Sequence, residues 1–151
     1  MSRVYFLFGV PDRFVQASKT IAKRVSEGER VIVYCPGKAR EDKLQRILWN
    51  MEGDLFLPLI DVNEPEPAPN VKKHAKLLLC HQFENIDIRP EDWLLNLSNE
   101  IPPCFEKFSK VMEIVSTVEQ DIENARNRWR NYKQAQHQMK SMKYDELAAG
   151  N

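Results

Sequence analysis

The residues best placed to do chemistry lie near the C-terminal end of the chain, where Arg126, Arg130 and Lys133 alternate with Trp129 and Tyr132. At about 100° per residue, Val118, Ile122, Ala125, Trp129 and Tyr132 share one stripe of a helix. The three cations form the strip immediately beside it, and Arg128 falls on the far side. A guanidinium can hold a carboxylate through paired hydrogen bonds, which lysine cannot reproduce. A neighbouring aromatic wall can receive an apolar anchor. The chemistry implied is recognition of a short acidic peptide. The alternative is a direct single-stranded nucleic-acid-binding module, with bases stacked on the same two rings.

Sites for catalysis or cofactors are missing from the pattern. Gly9-Val-Pro-Asp12 follows a strand-like run but lacks the GxGxxG spacing that lets a backbone approach a pyrophosphate. Cys35-Pro-Gly-Lys38 offers one Gly-Lys pair, yet Ile32 and Ala39 stand where a phosphate loop needs glycine and Ser or Thr. His74, His81 and His137 are scattered, with no Cys, Asp or Glu at metal-site spacing. Ser18, Ser26 and Ser98 sit outside any nucleophile elbow. Glu64 and Glu66 lie in a proline-rich loop that cannot hold them in catalytic geometry. The expectation is a protein that is not an enzyme, without metal or cofactor.

A second surface is marked by Trp49, Phe56 and Pro58. Leu44, Ile47, Leu48 and Met51 form the core stripe of their helix, and Trp49 projects roughly 140° from Leu44. Trp49 therefore belongs at the edge of the core or outside it, where an aromatic anchor serves protein–protein binding.

The elements that must position these residues follow from periodicity. Arg3–Gly9 and Arg30–Cys35 read as buried strands. Between them lies a helix capped by Asp12 and stopped by Gly28, with Phe14, Ala17, Ile21, Ala22 and Val25 inward. Pro36-Gly37 turns into a second helix over 38–51, so adjacent parallel strands joined by a right-handed crossover are expected. Residues 54–58 read as a short extended segment kept at an edge by Pro58. Residues 62–70 (VNEPEPAPN) form an acidic, mobile surface loop. Lys76–Gln82 and Trp93–Leu97 read as further strands. Pro102-Pro103 opens a helix carrying Phe105, Phe108, Met112 and Val115, and the basic helix spans roughly 116–142. The fold class is α/β, a single domain over 1–143 with a mainly parallel sheet flanked by helices, and a flexible tail over 144–151.

Composition narrows the function classes. Twenty-two basic residues balance 22 acidic ones, which disfavours a general nucleic-acid binder. The charge is still uneven: Arg126–Lys143 holds six cations and no acid, and Glu52–Glu66 five acids and no base. Three widely spaced cysteines argue against a disulfide framework, and Cys35 and Cys80 read as small buried hydrophobes. The chain opens straight into a strand and has no apolar run near the roughly 18 residues of a membrane span, so a cytoplasmic location is expected.

These pieces together resemble the chi subunit of bacterial DNA polymerase III holoenzyme. The resemblance rests on RVYFLF at the start, Gly28 before RVIVYC, Leu48-Trp49 followed by Phe56-Leu-Pro58, and Trp93-Leu-Leu-Asn-Leu97. Pro103 and Phe105 before Glu113-Ile-Val115, and the final Ala125-Arg-x-Arg-Trp-Arg-x-Tyr-Lys133, complete it. It implies a non-catalytic accessory subunit with a Rossmann-like topology and no nucleotide site. It further implies two protein partners and no membrane or direct DNA binding. The psi subunit, tethering the chain to the clamp loader, would meet Trp49, Phe56 and Pro58, a surface for which a helicase is a competing partner. The acidic C-terminal tail of single-stranded-DNA-binding protein, ending in aspartates and Pro-Phe, would meet Arg126, Trp129, Arg130, Tyr132 and Lys133. The chain departs from the family at Leu59, often histidine, at Ile122, which can be basic, and in the 62–70 loop.

Overall fold

A computed structural model of the chain describes residues 2–50, 59–61, 77–80, 87–103 and 105–144, with the backbone alone at 59–61 and 80. Phe56, Pro58, His74, His81, the extended segment at 54–58, the loop at 62–70 and residues 145–151 lie outside the described residues.

The described strands are β1 (Arg3–Val10), β2 (Val31–Tyr34), β3 (Leu59–Asp61), β4 (Leu77–Cys80), β5 (Trp93–Asn96), β6 (Lys110–Ser116) and β7 (Gln138–Lys143). They form one seven-stranded sheet in the order β3-β4-β2-β5-β6-β1-β7, and every pairing is parallel. The described α-helices are α1 (Arg13–Ser26), α2 (Lys38–Trp49) and α3 (Glu119–Gln134). The expected α/β class with a parallel sheet flanked by helices is what the chain adopts.

Local chemistry explains the elements. Asp12 caps α1 by accepting from the backbone N–H groups of Phe14 and Val15 at 3.0 and 3.1 Å. Gly28 follows α1 at φ 84°, a left-handed conformation that a side chain resists. The central strands are apolar on both sides because helices cover both faces. On one face Leu7, Val31, Val33, Leu79, Leu95 and Ile114 pack with Ala17 and Ile21 of α1 and Leu44 of α2. On the other, Phe6, Ile32, Leu78, Leu94 and Val111 pack with Ala125 and Tyr132 of α3.

Three expectations are corrected. β1 and β2 are not neighbours: β1 lies between β6 and β7, and β2 between β4 and β5. The crossover through α1 therefore passes over two strand positions. The helix expected after Pro102-Pro103 is a single 3-10 turn, Phe105–Lys107, followed by strand β6. Phe105, Phe108, Met112 and Val115 happen to fall at helical spacing, but Val111, Ile114 and Val115 are β-branched and buried from both sides. The last helix is shorter than its sequence period, ending at Gln134, and the chain turns through Gln136 (φ 63°) into edge strand β7.

Candidate peptide-binding groove

Chain direction reverses its winding between β1 and β6. The crossover from β1 runs over one face toward β2, and that from β6 runs through α3 on the other face to β7. In open parallel sheets the crevice at such a point, beyond the carboxyl ends of the strands, is where ligands bind. Here it is filled by two arginines of the protein itself. Arg13, at the start of α1, donates to the carbonyl oxygens of Ile114 (2.9 Å), Asn96 (3.2 Å) and Ser98 (2.8 Å). Burial pulls its guanidinium down to about 10, against the raising effect of Glu113, so it stays protonated at neutral pH.

Arg128 enters the same region from α3. It is 2% exposed and its Nε donates to Glu113 Oε1 at 3.1 Å, with a further bond to the Asn99 carbonyl at 3.1 Å. Glu113, at the heart of β6, is completed on Oε2 by Asn96 (2.9 Å) and the Tyr132 hydroxyl (2.7 Å). Both carboxylate oxygens are thus satisfied, as a buried charge requires. Burial, followed by the charge and hydrogen bond of Glu113, pushes the Tyr132 phenol far above its ordinary range.

The groove lies between α3 and the sheet, open toward β7. Phe6, Phe8 and Val115 form its floor, Ile122, Ala125 and Trp129 one wall, and Ser141 of β7 its opposite margin, enclosing about 380 Å³. Trp129 is held edge-on against Phe6 with ring centroids 5.0 Å apart, so its orientation is fixed before any ligand arrives. Arg126 stands at the rim, exposed, and has no hydrogen bond or ion pair among the described residues. An apolar slot with an exposed guanidinium at its mouth suits an apolar side chain accompanied by a carboxylate.

The structure brings Arg126 and Trp129 together in this groove. Arg130 and Lys133 are exposed further along α3, with Arg130 donating to Asn127 Oδ1 at 3.3 Å, and neither lines it. Tyr132 does not form the groove wall: it is 0% exposed, with its ring packed on Phe6 and Phe105. It shares the apolar stripe because the stripe faces the sheet, and it cannot stack on a base. Arg128 does point away from the groove, into the filled crevice. His137 accepts a backbone bond from Ser2 on Nδ1 at 3.1 Å, a structural role. Trp49, at the end of α2, is 81% exposed, outside the core as its phase predicts.

Phe6, Phe8 and Ser141 were not visible as groove residues in the sequence, since β1 reads simply as a buried strand. Glu113 did leave a signal. An acid inside an otherwise apolar run requires a buried cation nearby.

Fold and crevice define a parallel α/β domain with arginines of the chain itself at the point where such sheets customarily take a ligand. The crystal structure of T4 UvsW shares this fold at a TM-score of 0.66 and 9% identity, over 93% of this chain and 41% of that one. The chain thus spans about two fifths of the length of that protein, and the likeness is one of fold. Residues 1–140 match the family described as DNA polymerase III chi subunit, HolC. The DNA polymerase III subunit chi of Pseudomonas aeruginosa is 27% identical over 139 residues, covering 89% of this chain and 91% of that one. The chain belongs to the DNA polymerase III chi subunit family.

Proposed function

We propose that this protein is a non-catalytic, cytoplasmic accessory subunit that links the clamp-loader complex, through the psi subunit, to single-stranded-DNA-binding protein during DNA replication. Its α3 groove receives the acidic C-terminal tail of the latter. The terminal phenyl ring enters the apolar slot against Trp129, and carboxylates meet Arg126 at the rim, with Arg130 and Lys133 adding field from further along the helix. The single observation that carries this reading is the pairing of an apolar slot with the guanidinium of Arg126, which has no partner among the described residues. Trp49 supplies the psi-facing anchor, together with Phe56 and Pro58. An aromatic ring left 81% exposed at a helix end is the kind of residue that carries interface energy.

Two weak contacts on one chain gain from effective concentration, so a modest tail affinity suffices within an assembled replisome. A pull-down of both partners by the parent, Trp49→Ala and Arg126→Ala tests the assignment. Loss of psi alone in the first variant and of single-stranded-DNA-binding protein alone in the second is the expected result. Retention of the tail partner by Arg126→Ala overturns it.

A further inference from the structure

We infer that the acidic segment preceding the tail's terminal residues passes over the outer edge of β7 at Ser141 and lies in a second, cationic cleft on the opposite face of the sheet. This rests on the α3 groove holding the end of that tail. The cleft encloses about 700 Å³ between α1 and β7. It exists because α1 packs over β6 and β2, and among the described residues no helix covers the same face of β7.

Its floor is apolar, with Leu7, Met112 and Met142, and Tyr144 closes one end. Lys19, Lys23 and Arg24 descend from α1 and Lys140 rises from β7. No aspartate or glutamate lines it among the described residues. Arg24 is partly neutralised by Glu27 and Glu29, each 3.6 Å away. Lys19, Lys23 and Lys140 are exposed and have no ion-pair partner among the described residues. In a chain of zero net charge, such a one-signed cleft favours an anionic occupant.

The two depressions meet at the outer strand of the sheet. Ser141 borders both of them, a small residue on the edge strand of the sheet. Crossing a layer about 10 Å thick takes about three extended residues at roughly 3.4 Å each. A chain seated in the α3 groove therefore reaches the cleft with residues only a few positions upstream of its end. An acidic peptide matches both halves of that route, whereas a neutral one matches only the first.

Fluorescence anisotropy with three labelled peptides tests the route: a short one of about five residues ending Asp-Pro-Phe, and two of about fourteen with the same end. One long peptide carries aspartates and glutamates upstream, the other serines and glycines. The acidic long peptide is expected to bind the parent about tenfold more tightly than the neutral one. Lys19→Glu/Lys23→Glu, and separately Lys140→Glu, remove most of that advantage and leave the short peptide within about twofold. Equal binding of the two long peptides, or equal weakening of long and short ones by these variants, overturns the inference. Failure of the short peptide to bind the parent overturns the groove reading instead.

Discussion

Arg126 and Arg128 sit two residues apart on α3 and do opposite work. The side chain of Arg128 is 2% exposed and its guanidinium meets a carboxylate that is itself 0% exposed. Removing it leaves Glu113 Oε1 as a buried charge without its cation. Such a loss costs about 3–5 kcal/mol. Arg128→Ala is therefore expected to lower the urea unfolding midpoint sharply. Arg126→Ala removes no hydrogen bond or ion pair among the described residues, so its stability should stay within about 0.5 kcal/mol of the parent. Its affinity for an acidic Pro-Phe peptide should fall about tenfold or more. Denaturation curves and peptide titrations on the two variants check both halves of this contrast.

At the scale of elements, α3 is anchored by its buried Tyr132 and Arg128 and presents its other side to solvent. The helix ends through Gln136 at φ 63°, a conformation that costs a side chain about 1 kcal/mol and that glycine adopts freely. Gln136→Gly is expected to raise stability by about 0.5–1 kcal/mol, read from the same unfolding curves. That residue also explains why the sequence misleads here. With glutamine where a glycine would mark the stop, and with Gln138, Met139 and Lys140 all good helix formers, nothing in the pattern separates α3 from β7. The parallel class, the Asp12 cap and the outward phase of Trp49 were legible because each depends on local spacing. The strand order was not, since the pairing of β1 with β6 joins segments about a hundred residues apart. Of the candidate site, Arg126 and Trp129 could be found from helical phase. The floor under them could not, because Phe6 and Phe8 arrive from the first strand.

For the whole molecule, a parallel sheet buried on both faces also sets the reactivity of the Cys35 thiol. Cys35 is fully buried, and burial, followed by the charge of Glu41, raises its pKa from 9.0 to about 11. The native state holds that proton more tightly than the unfolded chain does. Its contribution to stability is therefore fully present below pH 9 and is lost as pH rises through the interval up to about 11. Cys35→Ala is expected to flatten the fall in stability between pH 9 and 10, compared by urea unfolding at each pH.

The central claim, that the α3 groove takes an acidic C-terminal tail, has a direct spectroscopic readout. The chain has 3 tryptophans, so an amide-correlation NMR spectrum shows one indole N–H signal for each. Trp129 lines the groove, Trp93 is 6% exposed and Trp49 is 81% exposed on another element. Titration of the nitrogen-15-labelled protein with an unlabelled Asp-Pro-Phe-ending peptide is predicted to shift the Trp129 indole signal, leaving those of Trp49 and Trp93 in place. A shift of the Trp49 signal with Trp129 unmoved would contradict the account.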